Sequence, residues 1–393
     1  MTRERTIIAL DPGTTKTCAL VVRIGEGAPH VIGAARATSA GIRTGLVADM
    51  KSAAASMAEA AARACRAAGV RCDRVWLAVS GEHIQGAPAR AGAEVLSSEV
   101  RRRDLDACLR RAVEAAHVPA GREVLHVLPG EFALDGQRGV ASPLGMAARR
   151  VEVDAFLVTA SSTALDNLER CLESAGLTME QEVLAALAAA WATTDEAERA
   201  AGALVIDIGG GTTDFIGFKG RRAGVVGSLE IAGGHVTRDV AVGMRVGLGE
   251  AERLKREQAA ALARLVPASE IRLASGERAG RWFLAEVVEA RMREILELVR
   301  ERVREAGLTP ALAVLTGGES RLAGSAALAQ EVFDCPARVG WAPGPEAVGV
   351  ARDPAWAVAL GIARFAAEQQ QYVPASPQSR LERTRRWVRD WFK

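Results

Sequence analysis

Tyrosine occurs once in the 393 residues, and aromatic side chains make up only 4% of them, so alanine and aliphatic residues must do most of the packing. No apolar run approaches the roughly 20 residues that a membrane-spanning helix needs, which excludes a chain that crosses a bilayer as helices. The six cysteines, Cys18, Cys65, Cys72, Cys108, Cys171 and Cys335, form no C-x-x-C pair and no metal-ligand spacing. They read as free thiols in a reducing cytoplasm. A net charge of +2 is too weak a field to recruit nucleic acid. The phosphate-binding string G-x-x-x-x-G-K-[ST] is absent. The start of the chain carries no secretory h-region and leads straight into a strand pattern. What is present is ample core: 49% of the residues are hydrophobic, enough at this length for two domains or more.

Two short stretches carry the chemistry. "LVIDIGGGTTDF", from Leu204 to Phe215, is an apolar run that ends on an acid and three glycines. Alone it would pass for a Gly-rich hairpin turn. Its alternative is a phosphate cradle, in which backbone N–H groups of Gly209, Gly210 and Gly211 face an anion and Asp207 holds a metal. "TIIALDPGTTKTCALVV", from Thr6 to Val22, repeats the grammar with Asp11, Gly13 and two threonines about half the chain earlier. Two copies of one unit make the cradle the better reading. A Rossmann loop would lead into a helix. Here "DFIGFKGRRAGVVGSLEI" and "TCALVVRIGEGAPHVIGAA" each read as strand, turn, strand. Each loop therefore joins two antiparallel strands, the topology of the actin-like, ribonuclease-H-type α/β ATPase fold.

The rest of the chain fits two lobes. "ADMKSAAASMAEAAARACRAAGV" reads as a helix ended by Gly69, and "RVWLAVSG" as a strand. From His83 to about Val158 short strands and one helix suggest a βαββ-like insertion. "STALDNLERCLESAGL" and "EVLAALAAAWAT" read as helical, as do "TRDVAVGMRVGLGEAERLKRE" and "LAEVVEARMREILELVRERVREAG". "PAWAVALGIARFA" reads as a last core helix, followed by a polar, proline-bearing linker. His126 lies inside an apolar strand and reads as a core residue rather than a catalytic one.

The last fourteen residues, "RLERTRRWVRDWFK", form an amphipathic pattern. At about 100° per residue, Leu381, Trp387, Val388, Trp391 and Phe392 share an arc of about 140°. Arg383, Arg385, Arg386, Arg389 and Lys393 lie opposite. Six basic and two acidic residues give this tail +4, leaving the rest of the chain at −2. A helix of that length spans only about 21 Å and cannot cross a bilayer. It can lie in the interface with its arginines among anionic headgroups.

The chain resembles the FtsA family, the actin-like bacterial cell-division proteins that tether the division ring to the membrane. The resemblance rests on "AVSGEHIQG", "VLHVLPGEFALDG", "ASPLGM", "VIDIGGGTTDF", "IAGGHVTRDVA", "GEAERLK", "LAEVVEARMREILELV" and "LTGGESRLAG", which occur in the family's order along the whole chain. It implies subdomain 1A at 1–82 and 159–200, subdomain 1C at 83–158, subdomain 2A at 201–239 and 307–367, and subdomain 2B at 240–306. A linker at 368–379 and a membrane-targeting helix at 380–393 would follow.

By the same resemblance, Asp11, Gly13, Thr14, Thr15 and Lys16 form the first phosphate loop. Asp207, Gly209, Gly210, Gly211, Thr212 and Thr213 form the second, with Asp11 and Asp207 on the Mg²⁺ side of ATP. Gly234 would sit at a turn below the nucleotide, Glu252 and Lys255 near ribose and base, and Gly317 and Gly318 under the adenosine. Implied partners are the FtsZ C-terminal peptide, met by Arg291 and Arg293 on subdomain 2B, further copies of the chain in a filament, other division proteins through 1C, and an anionic membrane surface at the cytoplasmic face of the septum. Two departures stand out: the segment between Lys255 and Arg281 is short, and Ser142 replaces an expected asparagine. The sequence shows no clear general base for hydrolysis, so turnover is expected to be slow or absent. A PilM-type pilus-assembly actin homologue is the rival within the fold, and a small-molecule kinase the rival in another class.

Overall fold

The computed structural model describes residues 4–25, 27–342, 350 and 352–370. The tail at 380–393 and the linker from 371 onward lie outside the described residues.

The first lobe begins with an antiparallel meander of β1 (Arg5–Pro12), β2 (Lys16–Ile24) and β3 (His30–Thr38). A small pair, β4 (Ile42–Arg43) and β5 (Leu46–Val47), leads into α1 (Met50–Ala68). The Asp49 carboxylate caps that helix by accepting from Ser52 N, and Gly69 ends it at φ 66. Strand β6 (Arg74–Val79) then runs parallel to β1.

The insertion follows, with β7 (Gln85–Glu94), α2 (Arg102–Ala115), β8 (Arg122–Leu134), β9 (Gln137–Val140) and β10 (Arg150–Ser161). Its sheet has the order β7-β10-β8-β9, and α2 packs on β7, β10 and β8. An extra hairpin at Asp135 and Gly136, both at positive φ, makes it βαβββ rather than the expected βαββ.

The lobe closes with α3 (Ser162–Ser174), β11 (Thr178–Leu184) and α4 (Ala185–Thr193). Here the helical reading of "EVLAALAAAWAT" is corrected: Glu182 to Leu184 belong to β11, which runs parallel to β6. The run is apolar on every side, so it offers no period to separate strand from helix.

A short α5 (Glu196–Ala201) crosses to the second lobe, where β12 (Ala203–Ile208), β13 (Thr213–Lys219) and β14 (Arg222–Leu229) form another antiparallel meander. Helices α6 (Gly233–Met244) and α7 (Leu248–Gln258) follow. The sequence reads these as one helix. The chain instead breaks at Arg245, which takes a left-handed φ of 55 while Val246 N bonds Ala241 O. The short segment before α8 (Arg281–Glu305) builds a 3-10 turn at Ala263–Leu265 and the two-stranded sheet of β15 (Glu270–Arg272) and β16 (Arg278–Gly280). Strand β17 (Leu312–Thr316), α9 (Ser325–Phe333), β18 (Ala337–Val339) and α10 (Ala357–Gln370) complete the lobe and return to the first. Helix α10 runs through Gln370, three residues past the end assigned to the core at 367.

The duplication is visible in the sheets. One has the order β3-β2-β1-β6-β11 and the other β14-β13-β12-β17-β18, each a meander with two parallel strands added on the β1 or β12 side. Helices α4 and α10 lie between the lobes and pack closely on each other. Gly361 permits this, because a Cβ there would strike the backbone of Ala188. The scarce aromatics gather at the same place: Trp76, Trp191 and His126 all meet the ring of Phe365 edge-on, at centroid distances of 6.3, 6.2 and 5.9 Å. His126 is fully buried, and its Nε2 accepts from Leu184 N at 2.9 Å, as a core histidine would.

Candidate functional site

The two hairpin loops that the sequence singles out meet across a cleft between the lobes. Each is closed by the same backbone bond: Gly13 N donates to Lys16 O at 3.0 Å, and Gly209 N to Thr212 O at 2.9 Å. Strand register matches too, since Asp11 pairs with Cys18 on β2 and Asp207 with Asp214 on β13. This alignment revises one detail. Thr14 and Thr15 correspond to Gly210 and Gly211, not to Thr212 and Thr213. The difference has a steric use, because the side chains of Thr14 and Thr15 fill the space that the glycines leave. A Cβ on Gly210 would lie 2.5 Å from Thr15, and one on Gly211 would collide with Thr14 Oγ1.

Three carboxylates gather beneath these loops. Burial, reinforced by Asp214 and Asp11 and opposed by Lys16, pushes Asp207 up to about 8. Burial lifts Asp11 to about 6 against the pull of Lys16. Asp214 is also raised by burial, although it accepts from the Thr212 hydroxyl at 3.0 Å. Three acids held this way lack positive charge, and Lys16 is the cation among the residues that line the floor with them. Lys16 Nζ donates to Ala355 O at 3.1 Å. Among the described residues no three acidic, His or Cys side chains form a metal cage. Mg²⁺ fits such a floor, since it is usually held by one or two carboxylates together with phosphate oxygens and water.

The floor opens into a cleft of about 1360 Å³, lined among others by Thr14, Lys16, Gly210, Gly234, Glu252, Lys255 and Gly318. Gly317 and Gly318 follow β17, and a Cβ on Gly317 would collide with the Asp207 carboxylate. Gly234 lies in the first turn of α6 rather than in a loop turn, and its N–H donates to Gly210 O at 2.8 Å. The helix N-terminus therefore abuts the second loop.

Lys255 is only 3% exposed, and its ammonium bonds Gly233 O, Thr237 Oγ1, Glu319 and Glu252 at 2.9 to 3.2 Å. It ties α6, α7 and the turn after Gly318 into one wall of the cleft. Glu252, 44% exposed, is the member of this cluster that faces the opening. Sequence reasoning missed Glu319 and Thr237, although both stand in quoted motifs, "LTGGES" and "IAGGHVTRDVA". Their signal was adjacency to the glycines.

Arg291 and Arg293 lie elsewhere, on α8, and both guanidinium groups are engaged within the lobe. Arg291 grips Asp239 at 2.5 and 3.2 Å and Glu294 at 2.6 Å. Arg293 bonds Glu289 at 2.9 Å and Glu331 at 3.1 Å.

Two duplicated lobes with matched loops over a shared cleft define the actin-like ATPase fold. Solved structures carry the same fold. A chain of the PilM–PilN type IV pilus biogenesis complex matches with a TM-score of 0.64 at 18% identity, covering 92% of this chain and 98% of its own. MreB5 of Spiroplasma citri bound to ADP matches with a TM-score of 0.56 at 16% identity, covering 93% and 98%. Sequence narrows the class. The family model for the SHS2 domain inserted in FtsA matches residues 81–159, and that for cell division protein FtsA matches 204–361. Cell division protein FtsA of Pseudomonas aeruginosa is 34% identical over 409 residues, with 98% of each chain covered. The chain belongs to the FtsA family.

Proposed function

We propose that this protein binds ATP with Mg²⁺ in the interlobe cleft, assembles into filaments, and tethers FtsZ to the cytoplasmic face of the membrane at the division septum. The observation that carries the nucleotide reading is the pairing of two glycine loops from separate lobes over three charge-starved carboxylates and a lysine. With Gly13 N and Gly209 N closing the two loops, the backbone N–H groups between those closures, at Thr14 and Thr15 and at Gly210 and Gly211, would meet the phosphates, and Lys16 would neutralise them. Asp11 and Asp207 would take the Mg²⁺ side, where the ion supplies the charge that burial withholds from the acids. Glu252 would reach the ribose, with Lys255 holding it in place. A solved neighbour of the same fold is bound to ADP, which supports the nucleotide reading. Turnover would be slow or absent, since the sequence offers no clear general base for hydrolysis.

FtsZ would dock through 240–306. Trp282 and Phe283, at the start of α8, are 51% and 46% exposed, and Val242 on α6 is 79% exposed. This apolar surface would take an FtsZ peptide, with Arg291 and Arg293 exchanging an internal carboxylate for one of the peptide's. The tail at 380–393 would supply the membrane contact. Calorimetry with ATP and Mg²⁺ tests the reading: saturable binding that disappears without Mg²⁺ supports it, and a flat isotherm refutes it.

A further inference from the structure

The chain crosses between lobes a second time just before α10, and residues Asp353 to Trp356 are gripped from both sides there. From the first lobe, Arg36 on β3 bonds the Asp353 carboxylate at 2.5 Å and stacks over the Trp356 ring at 4.3 Å. Lys16 Nζ, in the first phosphate loop, donates to Ala355 O at 3.1 Å, and the Cys18 thiol reaches the same oxygen at 3.8 Å. From the second lobe, Arg321 pairs with the other Asp353 oxygen. Thr316 Oγ1 and Gly317 N donate to Pro354 O at 3.1 and 3.2 Å. Asp353 also accepts from Ala355 N at 2.9 Å, which stiffens the turn.

We propose that Asp353 is a positioning residue of the cleft: it clips one arginine from each lobe to the crossing, so that a polyphosphate drawing Lys16 away from Ala355 O is registered as a displacement of α10. The proposal rests on the nucleotide reading above. Its physical basis is a competition for one ammonium. Lys16 now donates to a neutral carbonyl, and the opposite charge of a phosphate attracts the ammonium more strongly and draws it toward the loop. When Lys16 turns to the phosphate, Ala355 O loses its charged partner from the first lobe while Pro354 O keeps both partners from the second. A slack turn would absorb that change locally. The Arg36–Asp353–Arg321 clip and the Asp353-to-Ala355 bond hold the turn rigid, so the change passes to the helix that begins at Ala357. Helix α10 runs from this clip toward the segment that carries the basic, tryptophan-bearing tail.

The test is amide hydrogen exchange of the full chain over 350–370, with and without ATP–Mg²⁺ at concentrations that calorimetry shows to be saturating for each protein. In the wild type, nucleotide should change exchange in the first turns of α10 by about fivefold, the effect of one net hydrogen bond. Asp353→Asn and Arg321→Ala should bind nucleotide and lose that change, and Arg321→Lys should restore it. Arg321 is 40% exposed, so its truncation leaves folding intact should Asp353→Asn fail to fold. A purely structural clip would give variants with altered melting but an undiminished response to nucleotide. That result overturns the proposal, as does a wild type that binds ATP without any change over 350–370. A flat wild-type isotherm is distinguishable from both, and removes the nucleotide reading together with this one.

Discussion

Replacing Asp207 with asparagine should stabilise the ligand-free protein at pH 7.5 and remove its hold on Mg²⁺–ATP. Asp207 titrates near 8 in the fold against an ordinary value of 3.8, chiefly because burial penalises its charge. Between those two values the folded state keeps a proton that the unfolded chain has released. Stability therefore falls as pH rises, by about 1.4 kcal/mol per unit, and levels off above the folded value. From pH 5.5 to 7.5 this amounts to at most about 3 kcal/mol, or about 3 °C of Tm for a chain of this size. Asp11 and Asp214 share the titration, so the figure belongs to the cluster. Asparagine keeps the shape and does not ionise. Thermal melts without nucleotide or divalent cation should thus show the variant gaining on the wild type by a few degrees between pH 5.5 and 7.5. With ATP and Mg²⁺ the order should reverse, because only the wild type gains binding energy. An advantage that stays flat or shrinks as pH rises would refute the reasoning.

Lys255→Met should destabilise the second lobe by about 3–5 kcal/mol in chemical denaturation, since it strands the buried Glu319 carboxylate. The double variant Lys255→Met with Glu319→Gln should recover much of that loss. Gly211→Ala should weaken ATP binding at least about tenfold in calorimetry, because the new methyl must push Thr14 and the first loop away. Trp391→Glu, which puts a charge into the apolar arc of the tail, should release the protein from anionic vesicles in flotation while leaving ATP affinity unchanged.

Much of this was legible in the sequence, and the misses have physical causes. The two loops could be found because glycine, aspartate and threonine between apolar runs are constrained by local backbone chemistry. The strand-turn-strand context after each loop was equally local, and it was enough to separate this fold from a Rossmann one. Strand β11 was missed because Val183 and Leu184 continue into an alanine-rich helix without a change in polarity. The break at Arg245 carries no proline, and the left-handed residue is not a glycine. Contacts that close the site over long separations left no trace in the sequence. Lys255 meets Glu319 across 64 positions, and Lys16 meets Ala355 across 339. The partners that Arg291 and Arg293 hold within the lobe, Asp239 and Glu331, lie on neighbouring elements and are not revealed by a helix pattern.

Nucleotide-bound protein should carry FtsZ to a membrane through its last fourteen residues. Sedimentation of anionic vesicles with purified FtsZ, ATP and Mg²⁺ measures this directly. FtsZ should pellet with the vesicles when the full chain is present and remain in solution when residues 380–393 are removed, although the truncated protein still binds ATP. Each tail would contribute only about 1 kcal/mol per arginine near an anionic surface, so recovery should rise steeply with protein concentration once assembled copies share the membrane. FtsZ that pellets equally well with the truncated chain, or not at all with the intact one, would contradict the account.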